Sequence, residues 1–141
     1  MKKIFIAQAM TGLTNKQIED RRNEIIKCYY DTYPDDVDNV EFLDQFHIEH
    51  ELASDTLYEG VSYLGDSLKY LARADLVIFD SDAILMSKGT NVEQFICSKY
   101  DIPVILYLKG KLCIQKQYDV DSYMLKDIKM GEGIIWDDSR I

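Results

Sequence analysis

Positive charge, cysteine and long apolar runs are all scarce in this sequence, and each shortage excludes a class of protein. The 141 residues include 16 Lys and Arg against 25 Asp and Glu, which gives a formal net charge of −9. Such a balance disfavours binding to DNA or RNA, because the phosphate backbone requires a basic protein face. Backbone amides can still hold a small anion, so we expect a small-molecule ligand rather than a nucleic acid polymer.

The cysteine content and the apolar runs also limit where the protein works. Cys28, Cys97 and Cys113 are too few and too widely spaced for a disulfide framework or a zinc site. We therefore expect a reducing, cytoplasmic setting, with no metal and no cofactor. No apolar run approaches the roughly 18 residues that a membrane span needs, and residues 1–6 are too quickly polar for a secretory signal. We expect no membrane association.

Short apolar runs alternate with amphipathic segments along the chain. Runs rich in β-branched residues predict strands at 3–8, 40–43, 76–79, 103–107 and 133–136. Helical spacing of apolar residues predicts helices at 14–30, 57–71 and 90–100, with a further short helix at 119–129 and an irregular stretch before it. This alternation predicts an α/β fold, a Rossmann-like (flavodoxin-type) three-layer sandwich with a five-stranded, mainly parallel sheet, as one domain over residues 1–141.

Two of the predicted helices begin with sequences typical of a capping box. In this motif a Ser or Thr and a Glu or Gln three residues later cap each other's backbone amides. Thr14 and Gln17 have this spacing before the first helix, and Thr56 and Glu59 have it before the second.

Two other pairs of polar residues attract attention but favour ordinary roles. Arg21 and Arg22 lie on the first helix near the turn that precedes it, and we expect both to be solvated. His47 and His50 lie three apart in an acidic loop, but no further ligand completes a metal site, so a solvated loop is favoured.

Polar residues gather after the third predicted strand, at the point where ligands bind in open parallel sheets. Asp80 and Asp82 come at the end of this strand, and Ser87, Gly89 and Glu93 follow in the loop and at the start of the next helix. If the protein performs chemistry, we expect it to occur here.

Glu93 has the properties of a candidate nucleophile. At the start of a helix, the dipole and the free amides would stabilise its anion, which is the form that attacks an anomeric carbon. Asp80 or Asp82 could protonate the leaving base, and Gly89 would allow a sharp turn and close approach of a ligand. Thr90 and Glu93 also have capping-box spacing, however, and from these residues alone the purely structural role is favoured.

Four motifs in chain order resemble the nucleoside 2-deoxyribosyltransferase-like superfamily, most closely its small phage and prophage branch. They are residues 4–13 (I-F-I-A-Q-A-M-T-G-L), 63–68 (Y-L-G-D-S-L), 74–79 (A-D-L-V-I-F) and 88–93 (K-G-T-N-V-E). The resemblance implies a Rossmann-like fold, assembly into a homodimer or higher oligomer, and cleavage of the N-glycosidic bond of a deoxynucleoside or a nucleoside 5′-monophosphate.

The resemblance also implies roles for individual residues. Glu93 falls at the position of the family's nucleophile, and Asp66 matches an active-site aspartate on the middle helix to within about one residue. Gln8, Met10 and Gly12 fall in the turn that binds the sugar or phosphate side of the substrate.

Three other positions lead to different expectations about activity. Ser87 is similar to a serine that helps to bind the 5′-phosphate in the nucleotide N-hydrolases. Phe5 and Ala9 stand where those hydrolases have a tyrosine and a serine, so two hydroxyl groups are missing. We therefore consider three hypotheses: an N-glycosidase or transferase, a non-catalytic binder of a nucleotide or an ADP-ribose-like ligand (a phage sensor or sponge), and a structural domain.

Overall fold

Strands and helices alternate along the part of the chain that the computed structural model describes, which comprises residues 1–45, 52–81 and 87–114. The strands are β1 (Lys2–Ala7), β2 (Val40–Phe42), β3 (Leu76–Asp80), β4 (Val104–Leu108) and β5 (Lys111–Ile114). The α-helices are α1 (Asn15–Thr32), α2 (Glu59–Leu71) and α3 (Lys88–Lys99), and a short 3₁₀ helix spans Pro34–Asp36.

The five strands form one sheet in the order β2-β1-β3-β4-β5. The first four strands are parallel, and β5 is antiparallel to β4. The register aligns Ala7 of β1 with Phe79 of β3, and Asp80 of β3 with Tyr107 of β4. The prediction of an α/β sandwich with a five-stranded, mainly parallel sheet is confirmed.

Successive residues of each strand face opposite sides of the sheet, and each side has its own apolar core. Phe5, Val77 and Leu106 face α2 and α3, where they pack with Leu71 and Cys97. The alternate residues face α1 and form the second core, which comprises Ile4, Ile6, Ile25, Tyr29, Val40, Leu76, Ile78, Ile105 and Tyr107. The helices therefore enclose the sheet as outer layers, and a residue's position in its strand decides which helix it faces.

The fifth strand comes from a segment where the sequence predicted none. After β4, Lys109 and Gly110 both adopt positive φ, 50° and 76°, so the chain reverses and β5 pairs back along β4. The expectation of irregular structure directly after residue 108 is wrong, because the tight turn lets the four residues that follow it pair with β4 as a strand. The strand predicted at 133–136 and the helix predicted at 119–129 lie outside the described residues.

The three helices differ in how they begin and in how much they bury. Thr14 and Gln17 form the predicted capping box at the start of α1. The capping box predicted for Thr56 and Glu59 is wrong. Helix α2 begins at Glu59, and the side chain of its N-cap residue, Tyr58, makes no capping hydrogen bond. Only Leu71 of α2 is fully buried, while Val61 and Tyr63 are exposed, so most of the helix surface faces outward.

Within the described residues, no helix combines the length and the apolar character needed to cross a membrane.

Candidate functional site

The candidate site lies at the carboxyl edge of the parallel strands, because β1 and β3 end side by side there. Ala7 pairs with Phe79, so Gln8 and Asp80 follow at the same edge of neighbouring strands. Ser81 follows β3, and the described chain resumes at Ser87, which leads directly into α3. The structure therefore brings Gln8, Asp80, Ser87 and the start of α3 to one end of the sheet, as the sequence predicted.

Asp80 forms an ion pair on the α1 side of the sheet. Asp80 lies two residues after Ile78 in β3 and therefore faces the same side of the sheet, toward α1. Its carboxylate accepts two hydrogen bonds from Arg21, at 2.7 Å from Nε and 2.8 Å from Nη2. Arg21 also donates to Glu24 at 2.8 Å, and its guanidinium lies 4.9 Å from the centre of the Tyr107 ring. Bidentate pairing of this kind fixes both side chains.

This ion pair changes the role of Asp80. A carboxylate that accepts from a guanidinium through both oxygens would have to give up that contact before it could protonate a leaving base. The geometry therefore favours a structural role for Asp80, which holds α1 against the sheet edge. Asp82, the other candidate acid, lies outside the described residues, as do His47 and His50.

The expectation that Arg21 and Arg22 are solvated is wrong. Arg21 is held by Asp80, and Arg22 donates a hydrogen bond to the Leu43 carbonyl at 3.0 Å, where β2 ends. Burial lowers the pKa of Arg22, and Asp44 acts in the opposite direction. Both arginines therefore connect α1 to the carboxyl edge of the sheet. Their spacing along the sequence did not reveal this, because it places them on the helix but says nothing of which strand ends lie opposite.

Helix α3 begins two residues earlier than the sequence predicted. Ser87 is its N-cap, and its hydroxyl accepts a hydrogen bond from the Thr90 amide at 3.3 Å. Thr90 is consequently inside the helix and Glu93 lies in its second turn, so the capping box proposed for Thr90 and Glu93 does not form. Capping of α3 therefore does not explain why a glutamate occupies position 93.

Glu93 is buried rather than held as an exposed anion at the helix start. Its residue is 6% exposed, and burial raises the pKa of its carboxyl group to about 8. The expectation that the helix dipole and free amides stabilise its charged form is wrong, since desolvation dominates one turn further into the helix. Near neutral pH the carboxyl group is therefore mainly protonated.

Unpartnered polar atoms are concentrated around Glu93. Among the described residues, the buried side-chain atoms that make no hydrogen bond are Gln8 Oε1, Gln45 Oε1, Thr90 Oγ1, Asn91 Oδ1, Glu93 Oε2, and Gln94 Oε1 and Nε2. Four of these six residues lie on α3, and Gln8 follows β1 at the same sheet edge. Buried polar groups normally find a partner, so a cluster of exceptions indicates a place where a ligand or ordered water binds.

Some residues of the turn after β1 have clear structural roles, and one of them also has a polar atom without a partner among the described residues. The Leu13 amide donates to the Met10 carbonyl at 3.2 Å, and Gly12 has φ of 80° in this turn, a conformation that favours glycine. The Gln8 amide donates to the Ile18 carbonyl at 3.0 Å, while its Oε1 has no partner among the described residues. Gln8 is therefore fixed in position with one acceptor atom unused.

Two further predicted site residues, Gly89 and Asp66, make only ordinary contacts. Gly89 lies in the first turn of α3, and a Cβ added there would make ordinary contacts, the nearest at 3.7 Å from Leu64. The sharp turn proposed for Gly89 is therefore wrong. Asp66 is half-buried on α2, with Lys69 Nζ 3.8 Å from its carboxylate.

A groove lies elsewhere, on the α1 side of the sheet. It encloses about 500 Å³ between α1 and the β4–β5 hairpin, and Glu24, Cys28, Tyr107 and Lys111 are among its lining residues. Glu93 belongs to α3 on the opposite side. No group of three or more metal-ligating side chains occurs within residues 1–45, 52–81 and 87–114.

Gln94 and Gln45 are polar site residues that the sequence reasoning missed. Gln94 shares a helical face with Thr90 and Cys97, at spacings of four and three, and all three are buried. A polar side chain at such a position was a usable signal. No such signal marks Gln45, because its contact is with a strand far away in sequence: its Nε2 donates to the Ile6 carbonyl of β1 at 2.6 Å.

Comparison with known proteins supports the fold but gives no information about the activity of this protein. No family model matches the chain, and neither does any curated protein. A solved structure titled as a conserved protein from Enterococcus faecalis V583 is similar, with a TM-score of 0.54 and 15% sequence identity over 92% of this chain and 75% of that one. At this identity the likeness supports the α/β fold alone.

Proposed function

We propose that this protein binds a nucleoside or a nucleoside 5′-monophosphate beyond the carboxyl ends of β1 and β3, and that Glu93 cleaves its N-glycosidic bond. The observation that carries the proposal is the Glu93 carboxyl group, which is 6% exposed and has an oxygen without a partner among the described residues. A structural glutamate would be expected to end in an ion pair or a cap, and within residues 1–45, 52–81 and 87–114 Glu93 forms neither.

In the proposed reaction, ionised Glu93 attacks C1′ of the sugar. The new bond joins a carboxylate oxygen to C1′ as the C1′–N bond breaks, and the base leaves with the bonding electrons and takes up a proton. Water, or a second base, then displaces the carboxylate and completes hydrolysis or transfer. The proton donor to the base is Asp66 or Asp82, because Asp80 is engaged by Arg21.

The surroundings of Glu93 set the pH at which such a reaction runs. Burial raises the pKa of Glu93 to about 8, so the ionised fraction of the free protein increases as the pH approaches 8. Only the ionised form attacks carbon, and we therefore expect the rate of base release to rise over the same range.

Substitution of Glu93 by glutamine tests the proposal. Glu93→Gln preserves the size of the side chain but removes the charge, so base release should fall by a factor on the order of a thousand or more. Glu41→Gln is the matched control, because Glu41 is exposed on β2, and it should release base at the wild-type rate. Free base is measured by chromatography with a panel of nucleosides and nucleoside 5′-monophosphates.

A mechanism-based probe makes the assignment direct. A 2-fluoro-2-deoxy nucleoside should leave a glycosyl adduct on Glu93 that peptide mass spectrometry locates. An adduct on another carboxylate, or full turnover in Glu93→Gln, would contradict the assignment of the nucleophile.

A second candidate is a non-catalytic binder of a nucleotide or an ADP-ribose-like ligand. The protonated state of Glu93 near neutral pH favours it, because a neutral carboxyl group donates a hydrogen bond and does not attack carbon. The absence of hydroxyl groups at Phe5 and Ala9 agrees with this alternative. A nucleotide that binds and is recovered intact after prolonged incubation supports the binder, whereas free base that accumulates with time supports the enzyme.

A further inference from the structure

The sheet-facing side of α3 is unusually polar in its first two turns. The buried residues of α3 are Thr90, Glu93, Gln94, Cys97 and Ser98, which follow the spacing of one helix face. Only Cys97 of these belongs to the apolar core between the sheet and the helices. The start of the face instead buries a hydroxyl, a carboxyl and an amide in sequence.

Helix geometry places Thr90 beside both Glu93 and Gln94. Thr90 is three residues from Glu93 and four from Gln94, and side chains at these spacings are neighbours, with Cβ atoms about 5–6 Å apart. Four of their atoms, Thr90 Oγ1, Glu93 Oε2, and Gln94 Oε1 and Nε2, make no hydrogen bond within the described residues. Thr90 is 1% exposed and Gln94 is 0% exposed, so bulk solvent does not reach either residue.

Leaving four buried polar atoms unpaired would be costly. Each such group loses its hydrogen bonds to water without replacement, whereas an ordered internal water typically satisfies two to four groups at once. Together the three side chains offer donors and acceptors, because the amide supplies both, the hydroxyl supplies both, and the carboxyl group changes from donor to acceptor when it ionises.

We propose that Thr90 and Gln94 hold an ordered water molecule against the carboxyl group of Glu93, and that both are positioning residues for it. The water accepts a hydrogen bond from the protonated carboxyl group and turns to donate one when the group ionises. Thr90 and Gln94 keep the water in place in both states. This pair therefore decides how readily Glu93 becomes an anion, which extends the proposed function from the nucleophile to the groups that control it.

Other ionisable groups lie on the elements packed against α3. Elements packed against α3 carry Glu59, Tyr63, Asp66, Lys69 and Tyr70 on α2, and Asp80 at the end of β3, where Arg21 holds it. Burial is the cause of the raised pKa of Glu93, and the charge of Glu93 in turn contributes to the raised pKa of Cys97 on the same helix.

The test follows the titration of Glu93 itself, with glutamate labelled at its carboxyl carbon and observed by NMR or infrared spectroscopy. Thr90→Val keeps the shape of the side chain and removes the hydroxyl, and Gln94→Leu removes the amide. Each should move the midpoint of the Glu93 titration upward by about one pH unit, because the anion loses a hydrogen bond. Thr90→Ser restores the hydroxyl and should return the midpoint to the wild-type value.

Matched measurements separate this proposal from the proposed function. Ser98→Ala, a buried change one turn further along the same face, should leave the midpoint unmoved. If Thr90→Val and Gln94→Leu also leave it unmoved, the water site is wrong, whatever the activity. If the midpoint moves as expected but Glu93→Gln still releases base, the water site stands and the nucleophile assignment fails.

Discussion

Asp80 and Glu93 are two buried carboxyl groups near the same end of the sheet, on opposite sides of it, and their surroundings differ in every respect. Asp80 faces α1, and Arg21 donates to both of its oxygens. Glu93 lies on α3, where it has an oxygen without a partner among the described residues and its neighbours are neutral polar side chains. The contrast separates a carboxylate held by an ion pair from a carboxyl group for which the described residues provide no such partner.

The comparison also shows how strand parity assigns roles. Phe79 and Asp80 are consecutive, yet the first joins the core against α2 and α3, and the second joins the α1 side with Ile78. A one-residue difference therefore decided that Asp80 meets an arginine rather than the nucleophile candidate.

The largest expected effect is a pH dependence of stability that belongs to Glu93. Its pKa is raised by burial to about 8 from an ordinary value of 4.5, so between these values the folded chain retains a proton that the unfolded chain has lost. Stability is therefore greatest below about pH 4.5 and declines as the pH rises toward 8, by up to about 1.4 kcal/mol per pH unit. Urea denaturation of wild type and Glu93→Gln at several pH values measures the difference, which should widen in favour of Glu93→Gln as the pH rises from about 4.5 to 8 and level off above pH 8. A constant difference would mean that Glu93 is not shielded from solvent.

The next effect concerns the paired carboxylate. Asp80→Asn leaves the Arg21 guanidinium without its buried anion and should lower the free energy of unfolding by about 2–3 kcal/mol, since Arg21 is partly exposed and can turn toward water. Asp20→Asn is the matched control, because Asp20 pairs with Lys16 on the exposed face of α1 and should cost less than about 0.5 kcal/mol. Equal losses in the two variants would show that the Asp80 pair is no stronger than a surface pair.

The smallest effect compares the helix starts on the two sides of the sheet. Ser87→Ala and Thr14→Ala each remove an N-cap hydroxyl, and each should cost about 1 kcal/mol of stability. Only Ser87 lies at the proposed ligand site, so Ser87→Ala should also weaken the binding of nucleoside 5′-monophosphates, while Thr14→Ala should bind them as the wild type does. Calorimetric titration measures the affinity, and equal weakening in both variants would remove Ser87 from the site.

Periodicity alone was enough to predict most of the elements. Apolar runs identified β1 to β4, and those of β3 and β4 lack alternation because strands buried on both faces need apolar residues at every position. The Thr14 and Gln17 cap was equally readable, because both partners lie within four residues of each other. The β5 strand was missed, since its identity depends on a turn at Lys109 and Gly110 and on pairing with β4 rather than on its own four residues.

Local sequence patterns were enough to predict the α/β alternation, the carboxyl edge where polar residues collect, and the position of Glu93 near the start of a helix. The charge state and the partners of those residues depend on the folded chain. Asp80 became an ion-pair partner because α1 places Arg21 over the end of β3, and Glu93 became a buried, protonated acid because α3 begins at Lys88 and turns it inward. Charge state and pairing depend on desolvation and on contacts between residues far apart in the chain, and neither quantity is present in local sequence.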